Sequence, residues 1–152
     1  MPEIHLPGIK AEMVKTSRLN QHVLSKGDKR GEVIVFIHGN LSSSTYFEEL
    51  MVSMSDKYYC LAIDLRGFGD TEALNIDATR GARDWSDDLY ALLQALDIST
   101  AHWVAWSAGT AAIMQLKADY GECIRSLTLI APLSPFGFGG TKNEQGDPCY
   151  DV

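Results

Sequence analysis

Val33-Ile34-Val35-Phe36-Ile37 is an apolar run without polar alternation, and Tyr58 to Ile63, Trp103 to Trp106 and Leu127 to Ile130 repeat its character. Strands covered by helices on both faces read this way, whereas a strand with one wet face alternates. Upstream, Glu12 to Thr16 and Leu19 to Leu24 are weaker strand candidates, and Ser25-Lys26-Gly27-Asp28 supplies turn chemistry after them. Together they predict an antiparallel hairpin at a sheet edge.

Between the runs the period becomes helical. Phe47, Leu50, Met51 and Met54 share one face, and Thr45 with Glu48 three residues later has the spacing of a capping box. Trp85, Leu89, Leu92, Leu93 and Leu96 form a second stripe, with Asp84, Asp87 and Asp88 towards the positive N-terminal end of that helix. A third helix is expected just after Ser107, carrying Ile113, Met114 and Leu116 and ending on Gly121 as a left-handed cap. Strands alternating with helices of this length require right-handed crossovers, so the fold class is α/β, a mostly parallel sheet with helices on both faces.

With 152 residues and 45% apolar content, the chain can bury one substantial core. One domain over 1–152 is expected, with its core at about 10–132. Residues 133–152 are punctuated by Pro135, Gly137, Gly139, Gly140, Gly146 and Pro148 and read as loop, the start of a lid or a processing tail. The net charge of −7, without any basic run, argues against nucleic acid or an anionic membrane as a partner. The first residues lack the pattern of a secretory signal, and no apolar stretch is long enough to span a bilayer. Cys60, Cys123 and Cys149 are odd in number and widely spaced, as in a reducing, cytoplasmic setting, and Cys60 and Cys123 sit in apolar contexts that suit small buried hydrophobes.

The strongest chemical signal is Ala101-His102-Trp103-Val104-Ala105-Trp106-Ser107-Ala108-Gly109-Thr110, where an apolar strand runs into small-x-Ser-x-Gly and at once into a helix. A turn this tight needs small residues two before and two after the serine, here Ala105 and Gly109, and it exposes the hydroxyl at the strand's end. The helix that follows directs free N–H groups at a developing oxyanion. A bulky residue at Ala105 should therefore do more damage than one at the helical positions Ala111 or Ala112. Phe36-Ile37-His38-Gly39-Asn40-Leu41, at the carboxyl end of an earlier strand, has the character of an oxyanion loop. The backbone N–H groups of Asn40 and Ala108 are the expected pair of donors, with Leu41 as the substitute for Asn40. His38 is expected to brace this loop rather than to act as a base.

A third motif, Ala62-Ile63-Asp64-Leu65-Arg66-Gly67-Phe68-Gly69-Asp70-Thr71, is a strand ending in Asp and a glycine-rich turn. In order and spacing the three motifs resemble those of the α/β-hydrolase superfamily, over about residues 10–132. The resemblance implies Ser107 as nucleophile, Asn40 and Ala108 as oxyanion-hole positions, and Asp64 and Arg66 as parts of a structural turn. Ala105 stands where Gly is commoner in the family. A serine at the elbow, where some members carry Asp or Cys, favours acyl chemistry over dehalogenation. No cofactor or metal is implied, and Gly67-x-Gly69 lacks the third glycine and the context of a dinucleotide fingerprint.

A serine nucleophile needs a base and a group that orients it, and the family order is Ser, acid, His. All four histidines, His5, His22, His38 and His102, precede Ser107, so none matches the catalytic position. Asp147 and Asp151 lie where some members place the acid, yet a Pro- and Gly-rich loop also favours Asp for turn chemistry. Phe136 and Phe138 suit either the start of a lid or ordinary packing. Three readings follow: a serine hydrolase for a small-molecule acyl substrate, completed by a separate C-terminal chain of the same precursor; a truncated or non-catalytic domain that binds a ligand or partner; and an acyltransferase.

Overall fold

A computed structural model gives the fold and describes residues 4–133. Six strands form one sheet in the order β1-β2-β4-β3-β5-β6: β1 (Lys10–Lys15), β2 (Asn20–Lys26), β3 (Glu32–Ile37), β4 (Tyr58–Ile63), β5 (Ala101–Trp106) and β6 (Ile124–Ile130). The hairpin β1-β2 is antiparallel and joins β4 antiparallel, while the pairs β3-β4, β3-β5 and β5-β6 are parallel. The sheet is thus mostly parallel, with the hairpin at one edge as the turn chemistry predicts.

Strand alternation divides the buried residues into two layers. Val35, Ile37, Leu61, Ile63, Trp103 and Ala105 face one side, where Leu89, Leu92 and Leu93 of α2 (Arg83–Ala95) and Ile113 and Leu116 of α3 (Ala108–Asp119) cover them. Leu24, Phe36, Cys60 and Ala62 face the other, under Phe47 and Met51. Each fully buried Leu, Ile or Phe contributes about 1.5–3 kcal/mol of hydrophobic transfer, so these layers fix the register of every strand between them. Cys60 and Cys123 are buried free thiols, and burial raises the pKa of both, that of Cys123 to about 11. Cys149 lies outside the described residues.

Three local expectations are corrected. The Thr45/Glu48 capping box does not form: a 3-10 turn (Ser44–Phe47) leads into the short helix α1 (Glu48–Ser53), and Thr45 bonds the Ser43 hydroxyl. The Glu48 carboxylate instead accepts the backbone N–H of Leu6 at 2.8 Å and lies 2.6 Å from His5 Nδ1. Met54 stands just past the helix, and Leu50 remains 42% exposed, so the first stripe is only partly a core face. At the end of α3, Tyr120 (φ −138°) closes the helix and Gly121 opens a further 3-10 turn, without a left-handed glycine cap.

Asp84, Asp87 and Asp88 hold the loop between β4 and α2 as well as suiting the helix dipole. Arg66 donates two bonds to the buried Asp88 carboxylate, at 2.7 and 2.8 Å, and its remaining arm donates to the Asn75 carbonyl. Arg18, from the β1-β2 turn, donates to Asp88 at 2.7 Å, and Arg80 reaches Asp84 and Asp87 at 2.6 and 2.9 Å. Three cations facing three carboxylates satisfy each other where a lone buried charge would be costly. This matches the structural role assigned to Arg66.

The far edge of the sheet is open among the described residues. β6 pairs on one side with β5, and Leu129 and Ile130 are exposed. On the α1 face a groove of about 430 Å³ is lined by Ile34, Phe36, Leu50, Met54, Val104 and Thr128, among others.

Candidate active site

Ser107 stands alone between β5 and α3, with φ 50° and ψ −120°, a conformation that non-glycine residues seldom adopt. Its neighbours hold it there. The Ser107 N–H donates to the Ile130 carbonyl at 3.0 Å, and the Ser107 carbonyl accepts both the N–H and the hydroxyl of Thr110 at 2.9 and 2.6 Å. Ala105, two residues earlier, is fully buried opposite Ile37 of β3. Gly109, two residues later, has no room for a side chain, since a Cβ would lie 2.4 Å from the His38 carbonyl oxygen. The sharp strand-to-helix turn expected from small-x-Ser-x-Gly is therefore present, and the serine is half-buried at its apex.

β3 and β5 are parallel neighbours, so the segments leaving their carboxyl ends meet. A Cβ on Gly39 would come within 3.1 Å of Ser107 Cβ, which brings the loop holding Asn40 to the serine. Asn40 and Leu41 are exposed, Leu41 at φ 53°. Ala108 is the first residue of α3, where a backbone N–H has no acceptor within the helix. The loop that carries Asn40 thus starts beside Ser107, and Ala108 follows the serine as the first residue of α3.

His38 is fully buried and both of its ring nitrogens are engaged. Nδ1 lies 2.7 Å from the Gly39 carbonyl oxygen and Nε2 accepts the Leu65 N–H at 3.1 Å, which requires a neutral ring protonated at Nδ1. Burial lowers its pKa, against the Gly39 hydrogen bond and the charge of Asp64, and this keeps the ring neutral. His38 is a brace, as expected.

Asp64 directly follows β4 and gathers three segments. Its carboxylate accepts the N–H of Ser44 at 2.5 Å and of Asp70 at 3.0 Å, and lies 2.8 Å from His22 Nδ1. Burial pushes its pKa up, but these hydrogen bonds outweigh burial and the pKa lies below the ordinary carboxylate value. The oxyanion loop is thereby tied to the glycine-rich turn and to β2. His22, Asp64 and Asp70 are close enough to share a cation, but the first two are already engaged with each other.

The other histidines are placed elsewhere. His102 is the second residue of β5, five residues and about 16 Å of extended strand from Ser107, and bonds the Ser126 hydroxyl at 2.7 Å. His5 lies against Glu48. No histidine among the described residues is presented to Ser107. Asp147, Asp151, Phe136 and Phe138 lie outside the described residues. Sequence reasoning missed the ring stack of Tyr46 on Trp106, with centroids 4.7 Å apart, directly beside the elbow. An aromatic preceding the serine was its one visible sign.

Residues 32–150 match the family model described as the alpha/beta hydrolase fold. A 2-(acetamidomethylene)succinate hydrolase of Mesorhizobium japonicum is 32% identical over 117 residues, covering 77% of this chain and 41% of its own. A protein of Arabidopsis thaliana named probable lysophospholipase BODYGUARD 1 is 34% identical over 134 residues, covering 76% of this chain and 26% of its own. Among solved structures, an epoxide hydrolase from Vigna radiata superposes with a TM-score of 0.79 at 24% identity, covering 93% of this chain and 45% of that one, a likeness of fold. The chain thus spans less than half the length of these relatives. No helix among the described residues is long and apolar enough to cross a membrane. With the elbow, the neighbouring loop and the parallel sheet that brings them together, the match over residues 32–150 establishes that the chain belongs to the alpha/beta hydrolase fold family.

Proposed function

We propose that this chain is the nucleophile-bearing part of a serine hydrolase that cleaves an ester, lactone or related acyl bond of a small molecule in the cytoplasm. The observation that carries the reading is Ser107 at φ 50°, held at the apex of a strand-to-helix turn beside the Gly39-Asn40 loop. The Ser107 oxygen attacks the acyl carbon while its proton passes to a histidine base. The resulting oxyanion lies against the N–H groups of Asn40 and Ala108. Collapse expels the leaving group, which takes the proton back, and water then releases the acyl group by the same sequence. Serine at the elbow supports acyl transfer over dehalogenation, and relatives named as a hydrolase and a lysophospholipase support hydrolysis as the reaction class.

The base and its acid come from outside residues 1–152, on a separate C-terminal polypeptide of the same precursor. Three observations support this: every described histidine is engaged or distant from Ser107, and among the described residues the outer edge of β6 is unpaired and the groove beside Val104 and Thr128 is open. An open edge and an apolar groove are features that natural proteins cover. The engagement of the histidines also favours a second reading, a domain that binds its ligand without turnover. Acyl transfer to an acceptor other than water would use the same serine. The deciding experiment is hydrolysis of activated esters by the complete protein and by its Ser107→Ala variant. Loss of several orders of magnitude in kcat with an unchanged fold supports the hydrolase, and undiminished turnover refutes it.

A further inference from the structure

We propose that Trp106 is a positioning residue for the oxyanion loop, whose two ends both close on its indole ring. The inference rests on Ser107 and Asn40 acting as assigned above.

Alternation along β5 turns Trp106 to the face opposite Trp103 and Ala105, where it packs half-buried against the layer built on Phe36 and Phe47. Gly39, where the loop begins, lies against the six-membered part of the indole: a Cβ there would be 2.8 Å from Cε3 and 3.1 Å from Cζ3. Tyr46, in the 3-10 turn where the loop ends, stacks on the same side chain at 4.7 Å and an interplanar angle of 11°. Tyr46 in turn stands edge-on to Phe47, which packs against Phe36 of β3. Residues 40–45, including the exposed Asn40 and the left-handed Leu41, are thus strung between two anchors on one ring. The ring belongs to the residue that precedes the nucleophile. Beside the bond from Ser44 to Asp64 within the loop, one rigid group therefore ties both ends of the donor loop to the residue next to the attacking oxygen.

This arrangement has an energetic consequence. An oxyanion donor acts on the transition state and little on the ground state, and a displacement of about 1 Å at a reacting centre can cost about a hundredfold in rate. Disturbing the ring should lower kcat and leave KM nearly unchanged.

The test uses the complete protein, first labelled with a fluorophosphonate to establish that Ser107 is reactive in the wild type. Trp106→Leu, Trp106→Phe and Tyr46→Leu are then compared for kcat and KM on a p-nitrophenyl ester, for the affinity of phenylboronic acid as a tetrahedral mimic, and for thermal melting. Trp106→Leu should lower kcat about 10- to 100-fold with KM within about threefold, and should weaken the boronic acid in parallel. Trp106→Phe should recover most of the loss. Tyr46 is 58% exposed, so Tyr46→Leu should keep the fold and show a smaller loss of the same kind, which carries the test if Trp106→Leu does not fold. An unlabelled wild type overturns the nucleophile assignment and this inference with it. A labelled wild type whose folded variants keep kcat, or lose only substrate affinity, overturns this inference alone.

Discussion

Gly109 meets the backbone of His38 so closely that a Cβ on the glycine would lie 2.4 Å from the His38 carbonyl oxygen. This contact locks the helix after the elbow to the strand that feeds the oxyanion loop, and a main-chain oxygen cannot step aside as a side chain could. Gly109→Ala should therefore destabilise the protein by about 1–3 kcal/mol, the usual cost of overpacking, and impair any chemistry at Ser107. Gly121→Ala is the control, because only the flexible Lys117 side chain lies near it and its φ is not positive. Chemical denaturation of both variants checks this, and equal midpoints would contradict the close approach.

Ala105 tests the other side of the turn. It is fully buried opposite Ile37, so Ala105→Leu should cost about 1–3 kcal/mol or more, whereas Ala111 is half-buried and Ala111→Leu should be milder. Ala112, expected from the sequence to tolerate bulk as Ala111 does, is itself fully buried against the α2-α3 layer and should respond like a core site. Thermal melting of the three variants measures the order, and a milder effect at Ala105 than at Ala111 would mean that the turn is not sterically tight.

The contrast between those alanines shows what the chain discloses about itself. The central strands were legible because burial on both faces demands unbroken apolar runs, and the elbow was legible because its sterics demand small residues at fixed offsets. Contacts between distant segments were not. Glu48 has the spacing of a capping box, yet it is taken by His5 and Leu6, 43 and 42 residues away. Asp88 suits the start of a helix, yet it is held by Arg66 and by Arg18, which is 70 residues distant. Periodicity carries no record of such partners. The site divides in the same way: the elbow at Ser107 and the Gly39 loop beside it follow from their motifs, while the Trp106-Tyr46 stack could be seen only once the strands were placed side by side.

Acid should weaken the protein in two steps. His38 is held below its ordinary value of 6.5 by burial, and Asp64 lies below 3.8 because the bonds from His22, Ser44 and Asp70 outweigh burial. In both cases the unfolded chain takes up its proton at a higher pH than the folded one. Their stabilisation is thus complete above the unfolded pKa and declines as pH falls through the folded one. For His38 the decline begins near pH 6.5, and for Asp64 near pH 4. Denaturation midpoints should be flat from pH 8 to 7, fall below 6.5 and fall again below 4, and His38→Gln should flatten the first step. A midpoint that rises between pH 7 and 5 would contradict the assignment of a neutral, braced His38.

In the proposed function, Ser107 is a nucleophile whose base lies on another polypeptide. Its most direct test is intact-mass and peptide mass spectrometry of natively purified protein after exposure to a fluorophosphonate. An adduct confined to the peptide that contains Ser107 is expected, together with a second, C-terminal polypeptide that co-purifies and separates only on denaturation. Absence of an adduct at Ser107 would contradict the nucleophile. An adduct on one longer continuous chain would keep the nucleophile but refute the separate polypeptide, and a lone 16.7 kDa chain that hydrolyses esters without any partner would contradict the claim that the base comes from outside it.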